Sequence, residues 1–418
     1  MFLLLFEQTK TITRTVTTYN SEVTWVVAVL VLAWVAWYFI RRYLRARSMR
    51  RKPQRKNRKP LKNTLRIKNE LSSNWLKKGI SKKIHAIGIG KLAGGEHCIQ
   101  IFINDSNDKM FEDSAGPIPA RYKKIPLVLV EMPEAVFISA ELSTADHSAH
   151  FSDEEYRKVI REQQDVIMGG ISGANTNLDG NCGTIGYFVR KKTFLPRKTD
   201  VYLLSNSHVF VDLKKSAVDE HDLIMQPSPG EAATSRAIGE LIAFTALKFD
   251  NDNADANHID AAVAKLWKQQ AYQPLIPMIG AVKGFVKKED VEVGESSRKC
   301  GRTTGFTSGS VFSIHLDIRI KYDRTGQEAF FKDQFLIKPD ETQSARFVGP
   351  GDSGSLVVDE NNYATGLIFA GAGSALKLKD LGLETIANDG AVVVEQLDNY
   401  GVANPISEVL SKLNLELL

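Results

Sequence analysis

A mainly β protein, with two packed antiparallel barrels over residues 167–418 behind a small α+β domain, is the fold class this sequence predicts. Three observations carry it. From Gly169 onward, short apolar runs alternate with Gly, Pro, Asn and Asp, the pattern of short strands joined by tight turns. Ahead of them, Leu61, Leu65, Leu71, Trp75, Leu76 and Ile80 recur near helical spacing. At 418 residues, 43% apolar and 25% charged, the chain has the length and composition for a large core.

The chain opens differently. A short segment, 1–22, precedes residues 23–40, eighteen positions without a charge. As a helix this run spans about 27 Å, close to a hydrocarbon core. Trp25 stands near one end and Trp37-Tyr38 near the other, where interfacial aromatics belong, and Arg41-Arg42 stop it. A cleaved signal peptide needs positive charge before the apolar run and small residues after it, and here most of the charge follows. The expectation is one N-terminal transmembrane helix. Two bases precede it and fourteen follow, so the C-terminal side is expected to face the cytoplasm.

Those fourteen Lys or Arg fill residues 41–68 with no acid among them, whereas residues 69–418 carry 38 bases against 47 acids. The tract reads as a basic juxtamembrane linker (41–60) running into the next domain, with anionic lipid as its expected partner. Tyr43 is its one aromatic, and no nucleic-acid fold surrounds it, so nucleic acid is not expected there. Cys98, Cys182 and Cys300 are too scattered for a disulfide framework and form no CxxC pair. Free thiols suit a reducing compartment, in agreement with the expected orientation.

Each later element has its own signal. Residues 61–82 predict a helix, and strand-like runs follow at 85–90, 98–103 and 125–130, giving a small α+β domain over 61–143. Residues 144–166 read as a polar helical connector. The barrel runs include 183–189, 201–204, 238–244 and 311–320, and the chain closes on a helix with Ile406, Val409, Leu410 and Leu413 on one face.

Chemistry concentrates in three places. Ser353 lies in Gly351-Asp352-Ser353-Gly354-Ser355, a glycine turn running into Leu356-Val357-Val358. His208 follows an apolar run, and Asp260 opens another. A serine hydroxyl needs a base within reach, which His208 supplies, and an acid such as Asp260 to hold the imidazole tautomer. The order His, Asp, Ser excludes an α/β-hydrolase, whose histidine comes last, because the last histidine here is His315. His258 is a weaker alternative base, two residues from Asp260 and on the same face if that stretch is a strand. His221 reads as surface loop, and His85 and His97 lack ligand partners nearby. Asp250, Asp252 and Asp255 form a polar loop without the glycine and oxygen ligands of a calcium site. No metal and no cofactor are expected.

These motifs resemble the chymotrypsin/trypsin-like serine protease superfamily. The resemblance runs from Ile167 to the C-terminus and rests on Ser205-Asn206-Ser207-His208-Val209, Cys300-Gly301-Arg302-Thr303-Thr304-Gly305, the Ser353 turn and Ala403-Asn404-Pro405-Ile406. It is closest in character to disulfide-poor bacterial members, since Val209 and Gly349 stand where cysteines often fall. It implies a trypsin-like fold, a serine endopeptidase acting on a protein or peptide, and an oxyanion hole from the amides of Gly351 and Ser353. With the N-terminal reading it implies a bacterial inner-membrane location. Asp352 is implied to brace the oxyanion loop through a buried ion pair. Phe347, Val348, Phe369, Ala370 and Gly371 fall where the substrate pocket is expected, and an apolar floor favours small or apolar P1 residues. Ile167-Met168-Gly169-Gly170 resembles an activating N-terminus, but Asp165-Val166 offer no basic cleavage site. A non-catalytic peptide-binding scaffold on the same fold, or a sensor using the basic tract, remains open.

Overall fold

The computed structural model describes residues 27–37, 39–40, 59–76, 84–103, 118–132, 135–137, 155, 157–178, 182–192, 200–213, 215, 217–219, 221–229, 231, 234–250, 255–322, 327–371, 393–396 and 399–418. Residues 1–50 and 51–418 are two separate compact units. In the first, residues 27–37 and 39–40 are helical, with Leu30, Leu32, Trp34 and Ile40 exposed. No helix among the described residues is long and apolar enough to cross a membrane. The transmembrane helix expected over 23–40 is therefore not reproduced; its residues 23–26 and 38 lie outside the described residues, as do basic residues 41–58.

The second unit begins with helix α1 (Lys59–Trp75), shorter than the 61–82 read from periodicity. Its apolar face buries Ile67 and Leu71. Thr64, Lys68 and Ser72, spaced at i and i+4, are buried as well. Lys68 is thus no lipid-facing member of the basic tract. Its ammonium lies 2.9 Å from the Asp317 carboxylate, both side chains wholly buried, and Ser72 Oγ donates to the same carboxylate.

Three strands follow, β1 (Ile84–Lys91), β2 (His97–Ile103) and β3 (Ile125–Glu131). β1 and β2 pair antiparallel, β2 and β3 parallel. A two-residue strand, β4 (Val136–Phe137), comes next. Most of the 144–166 connector lies outside the described residues, which show one helical turn, Arg157–Arg161.

The first barrel sheet uses β5 (Tyr187–Lys191), β6 (Tyr202–Ser205), the one-turn helix α2 (Ser207–Phe210), β7 (Leu223–Gln226), β8 (Arg236–Phe244) and β9 (Ala262–Leu266). Side chains of these strands, among them Phe188, Leu203, Ile224, Ile238 and Val263, pack one core. The second barrel uses β10 (Ser296–Gly301), β11 (Gly305–Tyr322), β12 (Gln327–Pro339), β13 (Leu356–Val358), β14 (Tyr363–Gly371) and β15 (Gly401–Pro405). It closes on itself, since β10 pairs with both β11 and β13. The chain ends on helix α3 (Ile406–Lys412) and β16 (Leu415–Leu417), which returns to pair with β5 of the first sheet.

The 61–143 stretch does not break from this sheet. The near half of β11 belongs to the barrel, pairing with β10, and its far half pairs with β1, with Ile89 opposite Ile314 and Ala86 opposite Ile318. An 18-residue strand that outruns its barrel would leave an open edge; β1, β2 and β3 cover it. Midway along the β11–β12 pair, where the register shifts, His315 Nδ1 and Asp333 Oδ1 are 3.1 Å apart, and Lys288 reaches both Asp333 and Glu408. Burial pushes the Asp333 carboxyl up, but the His315 hydrogen bond and the charges of Lys288 and Lys68 outweigh it and hold it well below the usual range.

Two outcomes follow for unfolding of the full chain. Lys68→Met leaves Asp317 buried without its cation and is expected to cost about 3–5 kcal/mol in a denaturant titration, with part of the loss recovered on adding Asp317→Leu. Because the folded Asp333 carboxyl is held low, its contribution is present above about pH 4 and fades as the pH falls further. Asp333→Asn is therefore expected to flatten the acid limb of a stability–pH curve.

Candidate active site

Two strand ends of the first sheet set His208 and Asp260. β6 and β9 pair so that Ser205 lies opposite Ala262, which brings residues 206–208 beside Asp260. The Asp260 carboxylate, wholly buried, accepts the Ser207 amide at 2.6 Å on Oδ1, and its Oδ2 meets His208 Nδ1. Its backbone is held in turn: Asn206 Nδ2 donates to its carbonyl at 2.8 Å, and its amide donates to Asn404 Oδ1 at 3.1 Å. Ser207 Oγ donates to the Thr245 and Ala261 carbonyls, both at 2.9 Å. The imidazole thereby meets a carboxylate whose side chain and backbone are both hydrogen-bonded.

The Ser353 turn comes from the second barrel and is clamped by residues of the first half. Thr184 donates its amide to the Ser353 carbonyl at 2.9 Å and its hydroxyl to the Gly351 carbonyl at 2.9 Å. Gly354 sits at φ +95°, and a Cβ there would fall 2.2 Å from both Ser205 Oγ and the Thr184 carbonyl. The end of β6, one step before the His208 helix, therefore packs directly on the Ser353 turn. Ser353 Oγ lies 3.5 Å from the Phe369 carbonyl.

Asp352 organises the turn from below. Its carboxylate accepts the amides of Thr303 (2.8 Å), Thr304 (3.1 Å) and Gly349 (2.9 Å) and the Thr304 hydroxyl (2.6 Å). Lys299 lies 3.1 Å away, and both side chains are wholly buried. The cation is internal to β10, whereas Ile167 pairs with Tyr272 inside a continuous chain. The Pro350 carbonyl accepts Thr303 Oγ1, and the Asp352 carbonyl accepts the Ser355 amide (3.0 Å) and hydroxyl (2.6 Å). In a trans peptide the N–H points opposite to the carbonyl. The amides of Gly351 and Ser353 are consequently turned away from the loop body.

Sequence reasoning missed a second buried network. Glu231 accepts Arg302 Nε at 2.8 Å and also meets Arg161 and Ser172 Oγ. Arg302, 1% exposed, backs Gly351, where a Cβ would fall 2.9 Å from Arg302 Cδ. No local pattern marked Glu231, which lies 71 positions from Arg302.

The remaining candidates separate. His258 is exposed and precedes β9 rather than lying in it, so it shares no strand face with Asp260. His221 is exposed and His85 buried; burial beside Lys91 holds His97 below its ordinary range. The expected pocket residues fall in two buried clusters: Phe347 and Val348 with Ile368 and Ala403, and Phe369 and Ala370 with Phe331. Gly371 is buried at its end. The three cysteines are buried, unbridged thiols. Burial pushes Cys300 up to about 12 and Cys98 to about 11, so neither offers a thiolate nucleophile. Among the described residues no group of three or more His, Cys, Asp or Glu is placed to hold a metal ion.

No protein-family model matches this chain, and no curated protein matches it. Among solved structures it is similar to a glutamic acid-specific serine protease described as using a histidine triad in substrate binding, at 14% identity over 60% of this chain and 100% of the other, TM-score 0.36. It is similar to Thermobifida fusca protease A, at 16% identity, 60% and 98% coverage and TM-score 0.37. A Cellulomonas bogoriensis chymotrypsin gives 14% identity, 60% and 98% coverage and TM-score 0.35. Overlap this low carries no argument about this chain, whose reading rests on its own site.

Gly354→Ala is the direct check of the turn. With a positive φ and backbone within 2.2 Å of the new Cβ, it is expected to destabilise the full chain by more than about 2 kcal/mol in thermal or denaturant unfolding.

Proposed function

We propose that this chain is a serine endopeptidase in which Ser353 attacks a peptide carbonyl, His208 takes and returns the proton, and Asp260 holds the imidazole. The observation that supports it most is the buried Asp260 carboxylate, bound at once to His208 Nδ1 and the Ser207 amide, on a strand end packed against the Ser353 turn. The His208 tautomer this contact favours carries its proton on Nδ1 and leaves Nε2 as the base. The amides of Gly351 and Ser353 would hold the negative charge of the tetrahedral intermediate. An acyl-enzyme on Ser353 Oγ then forms as the amine departs with the His208 proton, and water reverses the steps.

The finer reading is a small or apolar P1 residue, supported by the uncharged set Phe347, Val348, Phe369, Ala370 and Gly371. Attachment to a bacterial inner membrane with the protease part in the cytoplasm is a further part of the proposal. Its support is the uncharged run 23–40 and the basic residues after it. Extraction of the full chain from membranes by detergent, but not by high salt or carbonate, is the outcome expected for an anchor.

Labelling with a fluorophosphonate probe tests the chemistry. The full chain is expected to label, and Ser353→Ala and His208→Ala each to lose labelling. On a peptide with an apolar P1 residue, Asp260→Asn is expected to lower kcat by roughly 10⁴. Labelling that survives Ser353→Ala overturns the assignment, and an unlabelled, folded chain that still binds extended peptides favours a non-catalytic scaffold.

A further inference from the structure

The edge of β14 beside Ser353 is occupied by the chain itself. On one side β14 pairs with β15 over residues 366–371. On the other it pairs with β13 only as far as Leu367, because the chain ahead of β13 leaves the sheet to make the Ser353 turn, where the Gly354 amide donates to the Ile368 carbonyl at 2.9 Å. The backbone of 369–371 is then an open strand edge next to the nucleophile, the kind of surface on which an extended polypeptide adds as a further strand.

β4 takes that place. Phe137 pairs with Ala370 and Val136 with Gly371, antiparallel. On its other side β4 pairs with β11 at Lys321, whose amide donates to the Ala135 carbonyl at 3.0 Å. Ala135 is wholly buried in the same cluster as Phe369 and Ala370. The direction matters as much as the position. Running from Val136 opposite Gly371 to Phe137 opposite Ala370, β4 advances toward Phe369, whose carbonyl Ser353 Oγ approaches. A peptide meant to deliver a carbonyl to Ser353 would take the same edge in the same sense. In this arrangement Ser353 is 0% exposed and His208 2%.

We propose that β4 is an autoinhibitory strand: it occupies the edge that an extended peptide substrate would use, and activity requires its displacement. This rests on the protease reading for its consequence, but the occupancy can be tested apart from it.

The test compares the full chain with its Val136→Pro/Phe137→Pro variant, in which both backbone donors of β4 are lost. Fluorophosphonate labelling of Ser353 is expected to speed up by about tenfold or more, the effect of removing two strand hydrogen bonds from the closed state. Measurable labelling at equal rates overturns the proposal and leaves the protease reading standing. In the Ser353→Ala background, a fluorescein-labelled synthetic peptide of residues 134–140 is expected to bind the variant and not the parent. Equal binding, or none to either, overturns the proposal. Binding to the variant alone with no labelling of either chain retains the strand and overturns the protease. Val136→Pro alone repeats both measurements if the double variant lacks a cooperative melt.

Discussion

Removing a lysine ammonium from water costs several kcal/mol unless a counter-charge meets it, and Lys299 has no exposure at all. Its answer is Asp352, and most of the site follows from that answer. Once the carboxylate is fixed over β10, it collects the Thr303, Thr304 and Gly349 amides, and those contacts decide how the next two peptide planes lie. Gly351 then has to take φ +101°, a conformation open to glycine and strained for other residues. An ion pair in the core of one barrel thereby aims backbone donors at the interface with the other. Because the cation comes from within β10, the turn is organised without any free amine at Ile167.

The same logic of burial governs the far end of the second barrel. Lys68 and Asp317 meet between α1 and β11, so the helix before the barrels is tied electrostatically to the strand that the second barrel shares with β1. Phe331 and Phe369, with ring centroids 4.7 Å apart, continue the contact from the hairpin to β14, a pair worth roughly 0.5–1.5 kcal/mol beyond its buried area. Strands β1, β2 and β3 are therefore built into the sheet of the second barrel, with α1 tied to it.

Much of this was legible in the residues. The runs at 85–90, 98–103 and 125–130 became β1, β2 and β3 nearly to the residue, because alternating or continuous apolar runs have few other uses. His208, Asp260 and Ser353 were marked by their position at the ends of such runs, where a polar residue is positioned by a strand without interrupting it. What failed was anything set by partners far apart in sequence. Lys68 looked like one more base in a basic tract, since nothing nearby announced Asp317. How Phe347 and Phe369 sit relative to one another depends on the register of β14, which shifts between Ile368 and Ala370 and cannot be read from the sequence. His258 seemed to share a face with Asp260 only on the assumption of a strand that begins later, at Ala262.

The shared sheet also shapes how the chain is made. During synthesis Ile89 emerges long before its neighbour Ile314, and at 5–20 residues per second the wait is on the order of ten to forty-five seconds. For that interval β1 presents an apolar, unpaired rim, and closing the gap depends on contacts distant in sequence, which form slowly. A nascent chain in this state is a natural client for chaperones, and its second barrel is complete only when the strand at residues 401–405 has left the ribosome.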